Sequence, residues 1–178
     1  MKSKFVTKRF AQFTLAAALA FSVITMTSAV SAKGQDSDEH SRQSNGLQGT
    51  WRVQVTASDC ATGAHGPAFA SYLSFADGGT LTETTSNPAL QPGQRTSGHG
   101  YWNRTGGHAY EAVSEAFILF DTPAHGPAPA FKRGVQRISQ KIEVQDDTFS
   151  SAAVTDFIDA SGNPVATLCA VATGQRMK

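Results

Sequence analysis

From Trp51 to the end of the chain, apolar and polar residues alternate with a period of two, in short runs broken by Gly, Asp, Asn and Pro. Such alternation sends successive side chains to opposite faces of a strand, so each run can bury one face and wet the other. It is clearest at 50–57 and at 135–145. In the first run Trp51, Val53 and Val55 oppose Arg52, Gln54 and Thr56; in the second Ile138, Ile142 and Val144 alternate with Arg137, Ser139, Lys141 and Glu143. The same reading predicts strands at 68–76, 79–85, 99–104, 108–120, 148–159 and 165–173, and no segment shows a 3.6-residue period. Asp77-Gly78-Gly79, Gly106-Gly107 and Asp146-Asp147 supply tight hairpin turns, and 159–164 (DASGNP) turns into the last strand.

Eight consecutive antiparallel strands predict an all-β, up-and-down barrel, because closure removes the unpaired edges that an open sheet would expose. The tight turns join strands two to three, four to five and six to seven. The long, Gly- and Pro-rich connections join one to two, three to four and five to six. In an up-and-down barrel these two sets lie at opposite ends, so one end is stitched by hairpins and the other is ringed by loops. A barrel of this size either fills itself with side chains or holds one small ligand.

The N-terminus reads as an export signal. Lys2, Lys4, Lys8 and Arg9 precede a mostly apolar run, 10–26, and Val30-Ser31-Ala32 places small residues at a cleavage site. A membrane anchor is the alternative, but Gln12, Thr14 and Ser22 interrupt the run. The domain plan is therefore a signal peptide at 1–32, a disordered leader at 33–46 without an apolar residue, and a barrel at 47–178. The whole chain of 178 residues carries 15 Lys and Arg against 14 Asp and Glu. Removing the signal takes four bases and no acid, which leaves a mildly acidic remainder and no basic patch to predict nucleic-acid binding. No second apolar run reaches spanning length, so the mature product is expected to be periplasmic or extracellular. In an oxidising compartment the two cysteines, Cys60 and Cys169, most simply form one disulfide.

Gly49-Thr50-Trp51 at the start of the first strand resembles the G-x-W pattern of the lipocalins and the wider calycin group, and Arg176 just after the last strand stands at the place of the arginine that packs across that Trp in them. The resemblance covers about 47–178 and implies that Trp51 closes the barrel floor with Arg176 packed across it. The chain departs from lipocalins in leaving no room for a C-terminal helix and in carrying Asp147-Thr148-Phe149 where they have T-D-Y. If Trp51 faces Arg176 and Cys60 meets Cys169, the two pairings imply registers between the first and last strands that agree within two residues. The cysteines then point outward and latch the seam near the loop-ringed end.

Candidate functional residues fall into three sets. Tyr72, Tyr101, Tyr110, Phe120 and Phe131 are expected to line an apolar pocket, the tyrosines orienting a ligand and Phe131 acting as a lid. Core packing is the plain alternative for the aromatic residues. His65 and His125 sit in a repeated Ala-His-Gly-Pro-Ala, and with His99 they come from three loops at one end, enough for a zinc site if they meet. Glu111 and Glu115 share one face of the fifth strand and would act as bases only if that face is inward; the opposite face, Tyr110 to Phe120, is the better interior. No nucleophile elbow or phosphate loop occurs, and no cofactor is expected. The expected function is a secreted binding protein for a small, mostly apolar molecule. The alternatives are a barrel enzyme of isomerase or cyclase type, as in the allene oxide cyclase-like barrels of similar shape, and a filled structural barrel.

Overall fold

The computed structural model describes residues 46–126 and 128–178. The expected signal peptide and nearly all of the leader lie outside the described residues. The strands are β1 (Gly49–Ser58), β2 (His65–Phe75), β3 (Thr80–Thr85), β4 (Gly98–Gly106), β5 (Ala109–Ile118), β6 (Gly134–Gln145), β7 (Thr148–Asp159) and β8 (Pro164–Arg176). They pair in sequence order, all antiparallel, and β1 closes on β8. The fold is a closed eight-stranded up-and-down barrel. No helix among the described residues is long and apolar enough to cross a membrane.

β2 starts earlier and β8 ends later than the alternation predicts. β2 begins at His65, ahead of Gly66-Pro67, which read as part of the long connection between the first two strands. Pro67 is tolerated because it sits where the register of β1 and β2 shifts between Thr56 and Ser58, so its missing N–H breaks no regular ladder. β8 continues through Gly174 to Arg176. Gly174 is a packing residue here: a Cβ would lie 2.2 Å from the Phe149 ring, which occupies the space a side chain would take. β5 ends at Ile118, short of the expected Phe120, because Leu119 N–H turns to Gln94 O of the β3–β4 connection.

The hairpin end is plugged. Trp51 is fully buried, its Nε1 donates to Leu47 O (2.9 Å), and its ring meets Phe149 at 5.0 Å between centroids. The Arg176 guanidinium carbon lies 4.2 Å from the centre of the Trp51 ring. The same guanidinium donates to Gln48 O, to Gly46 O (2.6 Å) and to Asp147 Oδ1 (3.0 Å). One arginine thus ties the chain entering β1 to the β6–β7 turn. Val53, Leu73, Phe75, Leu81, Tyr110 and Ile142 complete this floor. The β1–β8 register sets Trp51 opposite Arg176 and Ser58 opposite Cys169. Cys60, two residues beyond β1, is disulfide-bonded to Cys169 with Cα atoms 5.0 Å apart, and the bond closes the seam at the end away from the floor.

Candidate functional site

Above the floor the barrel interior changes character. The next inward positions are polar and buried: Ser71 on β2, Glu83 on β3, Ser114 on β5, Gln136 and Gln140 on β6, and Thr155 on β7. A second, smaller apolar cluster follows at the loop-ringed end, where Ile118, Phe131 and Phe157 pack with Ala89, Leu90 and Leu168. The barrel is therefore layered as apolar floor, polar belt and apolar mouth.

The centre of the belt is an ion pair that enters from a loop. β3 and β4 pair over only four residues, Thr80 to Glu83 against Tyr101 to Gly98, and the long connection 86–97 departs where they separate. Arg95, near the end of that connection, turns inward. Its Nη2 bonds Glu83 Oε2, its Nε bonds Gln136 Oε1, and its Nη1 donates to Thr96 O (3.1 Å). Both charged side chains are almost completely buried, Arg95 at 4% exposure and Glu83 at 7%. Ser71 Oγ lies 3.3 Å from Glu83 Oε1 and 2.7 Å from Thr84 O, to which it donates. Such a pair survives burial because each charge is matched and further hydrogen-bonded. Gly98 makes the room: a Cβ there would stand 2.7 Å from Glu83 Oε2.

A pocket of about 360 Å³ runs from the loops down to this pair. Its walls are apolar or small: Val55, Phe69, Ile138 and Phe157 beside Ala57, Ala153, Ala170 and Ala172. Its polar lining at the level of the belt includes Ser71, Glu83, Arg95, Ser114, Gln136, Gln140 and Thr155, and Asp59 lines it at the loop-ringed end. Phe131 lines the mouth, 5% exposed, with its ring 5.3 Å from that of Phe157. The loop that carries Phe131 is held from two sides. Thr122 and Phe131 exchange backbone hydrogen bonds, and Gln94, fully buried in the β3–β4 connection, donates to Phe120 O (3.2 Å) and Thr122 Oγ1 (2.9 Å).

The sequence-derived candidates scatter relative to this pocket. Phe131 lines it. Tyr72 and Tyr101 project from the outer face, 45% and 59% exposed, because their strand neighbours Ser71, Leu73, Gly100 and Trp102 take the inward positions. Tyr110 is inward but belongs to the floor, its ring 5.8 Å from that of Trp102. Phe120 lies past the end of β5 and is partly exposed. His65, His99 and His125 are all exposed, and His99 lies on β4 opposite Thr82 and Glu115 rather than at the mouth. Among the described residues, no three His, Cys, Asp or Glu side chains stand together as a metal site would require. Glu111 and Glu115 face outward, and Glu115 pairs with Arg137 at 2.6 Å.

Sequence reasoning missed Glu83, Arg95 and Gln136. For two of them the signal was present. Leu81 and Glu83 share a face of β3, and Gln136 shares a face with Ile138 and Ile142, so the alternation itself aims both inward. Arg95 lies in an irregular loop, where no periodicity indicates direction. No protein-family model and no curated protein matches the chain.

Proposed function

We propose that the protein binds a small, mostly apolar molecule inside the barrel, and that it does so as an exported, lipocalin-like binding protein. The observation that carries the reading is the pocket of about 360 Å³ between the loops and the buried Glu83–Arg95 pair. That volume lies within the range of small-molecule sites, and apolar walls with a few convergent polar groups are what such sites have in common. The small residues Ala57, Ala153, Ala170 and Ala172 leave the space that larger side chains would fill. Gly49-x-Trp51 and its contact with Arg176 support the lipocalin-like reading of the barrel. The disulfide and the N-terminal signal pattern support export. The outward placement of Glu111 and Glu115 favours binding over an enzyme that would use them as bases.

Ala153→Phe tests the site. Ala153 faces the pocket from mid-β7, and a phenyl ring there takes up cavity space. Titration with the uncharged fluorescent probe N-phenylnaphthylamine should give saturable binding to the wild type, with affinity reduced about tenfold or more in Ala153→Phe, since the lost pocket area removes burial worth well over 1.4 kcal/mol, about a factor of ten. Equal binding by both proteins would place the probe elsewhere and sink the proposal. Native mass spectrometry of the protein taken from its own compartment reads the natural ligand directly.

A further inference from the structure

The charge state of the polar belt restricts what the pocket accepts. Glu83 and Arg95 both line the pocket, touch one another, and are both buried. Their charges cancel, so the depth of the pocket presents dipoles and hydrogen-bonding groups but no net charge; the one further carboxylate of the lining, Asp59, stands exposed at the loop-ringed end. Arg95 has five N–H groups, of which the bonds to Gln136, Thr96 and Glu83 engage three. Ser114, Gln140 and Thr155 add hydroxyl and amide groups to the same part of the lining.

Resting on the reading that the pocket holds a ligand, we infer that this ligand is an uncharged amphiphile: an apolar body whose hydroxyl or carbonyl group docks against the Glu83–Arg95 pair. A carboxylate that reaches Arg95 also comes close to Glu83, because the two side chains are in contact, and it would bury a third charge beside a pair already balanced. An ammonium group meets the same obstacle with Arg95. Neither ion recovers the hydration it loses on entering an apolar-walled pocket. A hydroxyl or carbonyl pays far less to leave water and finds donors and acceptors at the belt.

The test is displacement of bound N-phenylnaphthylamine from the folded, disulfide-intact protein by decanol, decanoate and decylammonium at neutral pH. These probes share one chain and differ only at the head. Decanol should displace the dye at a concentration about tenfold or more below that needed for either ion. Decanoate or decylammonium performing as well as decanol would overturn the inference while leaving the binding proposal intact. Absence of any dye binding would overturn both. Glu83→Gln supplies the converse: with Arg95 left uncompensated, the preference should swing toward decanoate by about tenfold or more relative to decanol. An unchanged ratio in a folded Glu83→Gln protein would also overturn the inference. The wild-type comparison decides the matter if that variant does not fold.

Discussion

Arg95 shows how much one side chain can settle. It is a loop residue, yet it is buried at the heart of the barrel, and its partners come from β3 and β6. Removing either member of a buried pair strands the other's charge, at a cost of about 3–5 kcal/mol, whereas removing both costs much less. Arg95→Met and Glu83→Gln should each lower stability strongly, and the double variant should lose clearly less than the sum of the two. Denaturant unfolding of the four proteins reads this as a coupling energy. Additive losses would mean that the two groups do not interact. Arg176 works differently at the floor: it stays partly hydrated, covers Trp51, and joins three stretches of chain through hydrogen bonds.

At the scale of elements, the turns are set by aspartates. Asp59 Oδ1 accepts from Thr62 N (2.7 Å) and Ala61 N (2.9 Å) after β1, and Asp159 Oδ1 accepts from Asn163 N (2.9 Å) and Ser161 N (2.8 Å) after β7. Asp121 takes Arg133 N–H at 2.6 Å, closing the long loop that carries Phe131. The hydrogen bond from the Thr62 amide holds Asp59 below the ordinary carboxylate range, as do those from the Asn163 amide for Asp159 and the Arg133 amide for Asp121. Asp147 is lowered chiefly by the Lys178 side chain and then by Arg176. Lowered folded values mean that ionisation stabilises the fold. That contribution is complete above the unfolded pKa, near 3.8 for each, and is lost as pH falls through the lower folded values. Melting temperature should therefore be flat on this account above about pH 5 and fall on acidification below about pH 4. Asp159→Asn should shrink the fall; an identical acid slope in that variant would exclude Asp159 as a contributor. Short hairpins need less help: Asp146 adopts φ 54° in the two-residue β6–β7 turn, a conformation Asp tolerates better than most residues.

At the scale of the molecule, closure is the event that creates both stability and site. β1 and β8 are the farthest strands in sequence, and their pairing costs the most chain entropy. The Cys60–Cys169 disulfide, at a sequence separation of 109, removes much of that cost from the unfolded state, roughly 4–5 kcal/mol in the chain-entropy model. Cys60→Ser should lower the melting temperature markedly, and a reductant should then change nothing more. A reductant that leaves the wild type equally stable would contradict this role. The bond lies at the mouth end of the seam, so its loss should also weaken dye binding through fraying of β1 and β8 there.

Much of this architecture was legible in the residues themselves. Eight runs of alternation and tight turns at 77–79, 106–107 and 146–147 depend on local backbone chemistry and on a two-residue period, and both are written along the chain; the pairing of Trp51 with Arg176 was implied by the resemblance of Gly49-Thr50-Trp51 to the lipocalin pattern. Which face of β5 turns inward was legible too, because Tyr110, Ala112, Ser114, Ala116 and Ile118 outweigh Glu111 and Glu115 as core. The pocket was not. Tyr72 and Tyr101 read as ligand contacts by residue type, but register parity turned them out. Arg95 lies in a loop that carries no period, and it turns inward where β3 and β4 separate early. A period says which residues share a face. It does not say how high along the barrel axis each face stands, or where a loop without a period folds back, and those two quantities place a charge at the floor of a pocket.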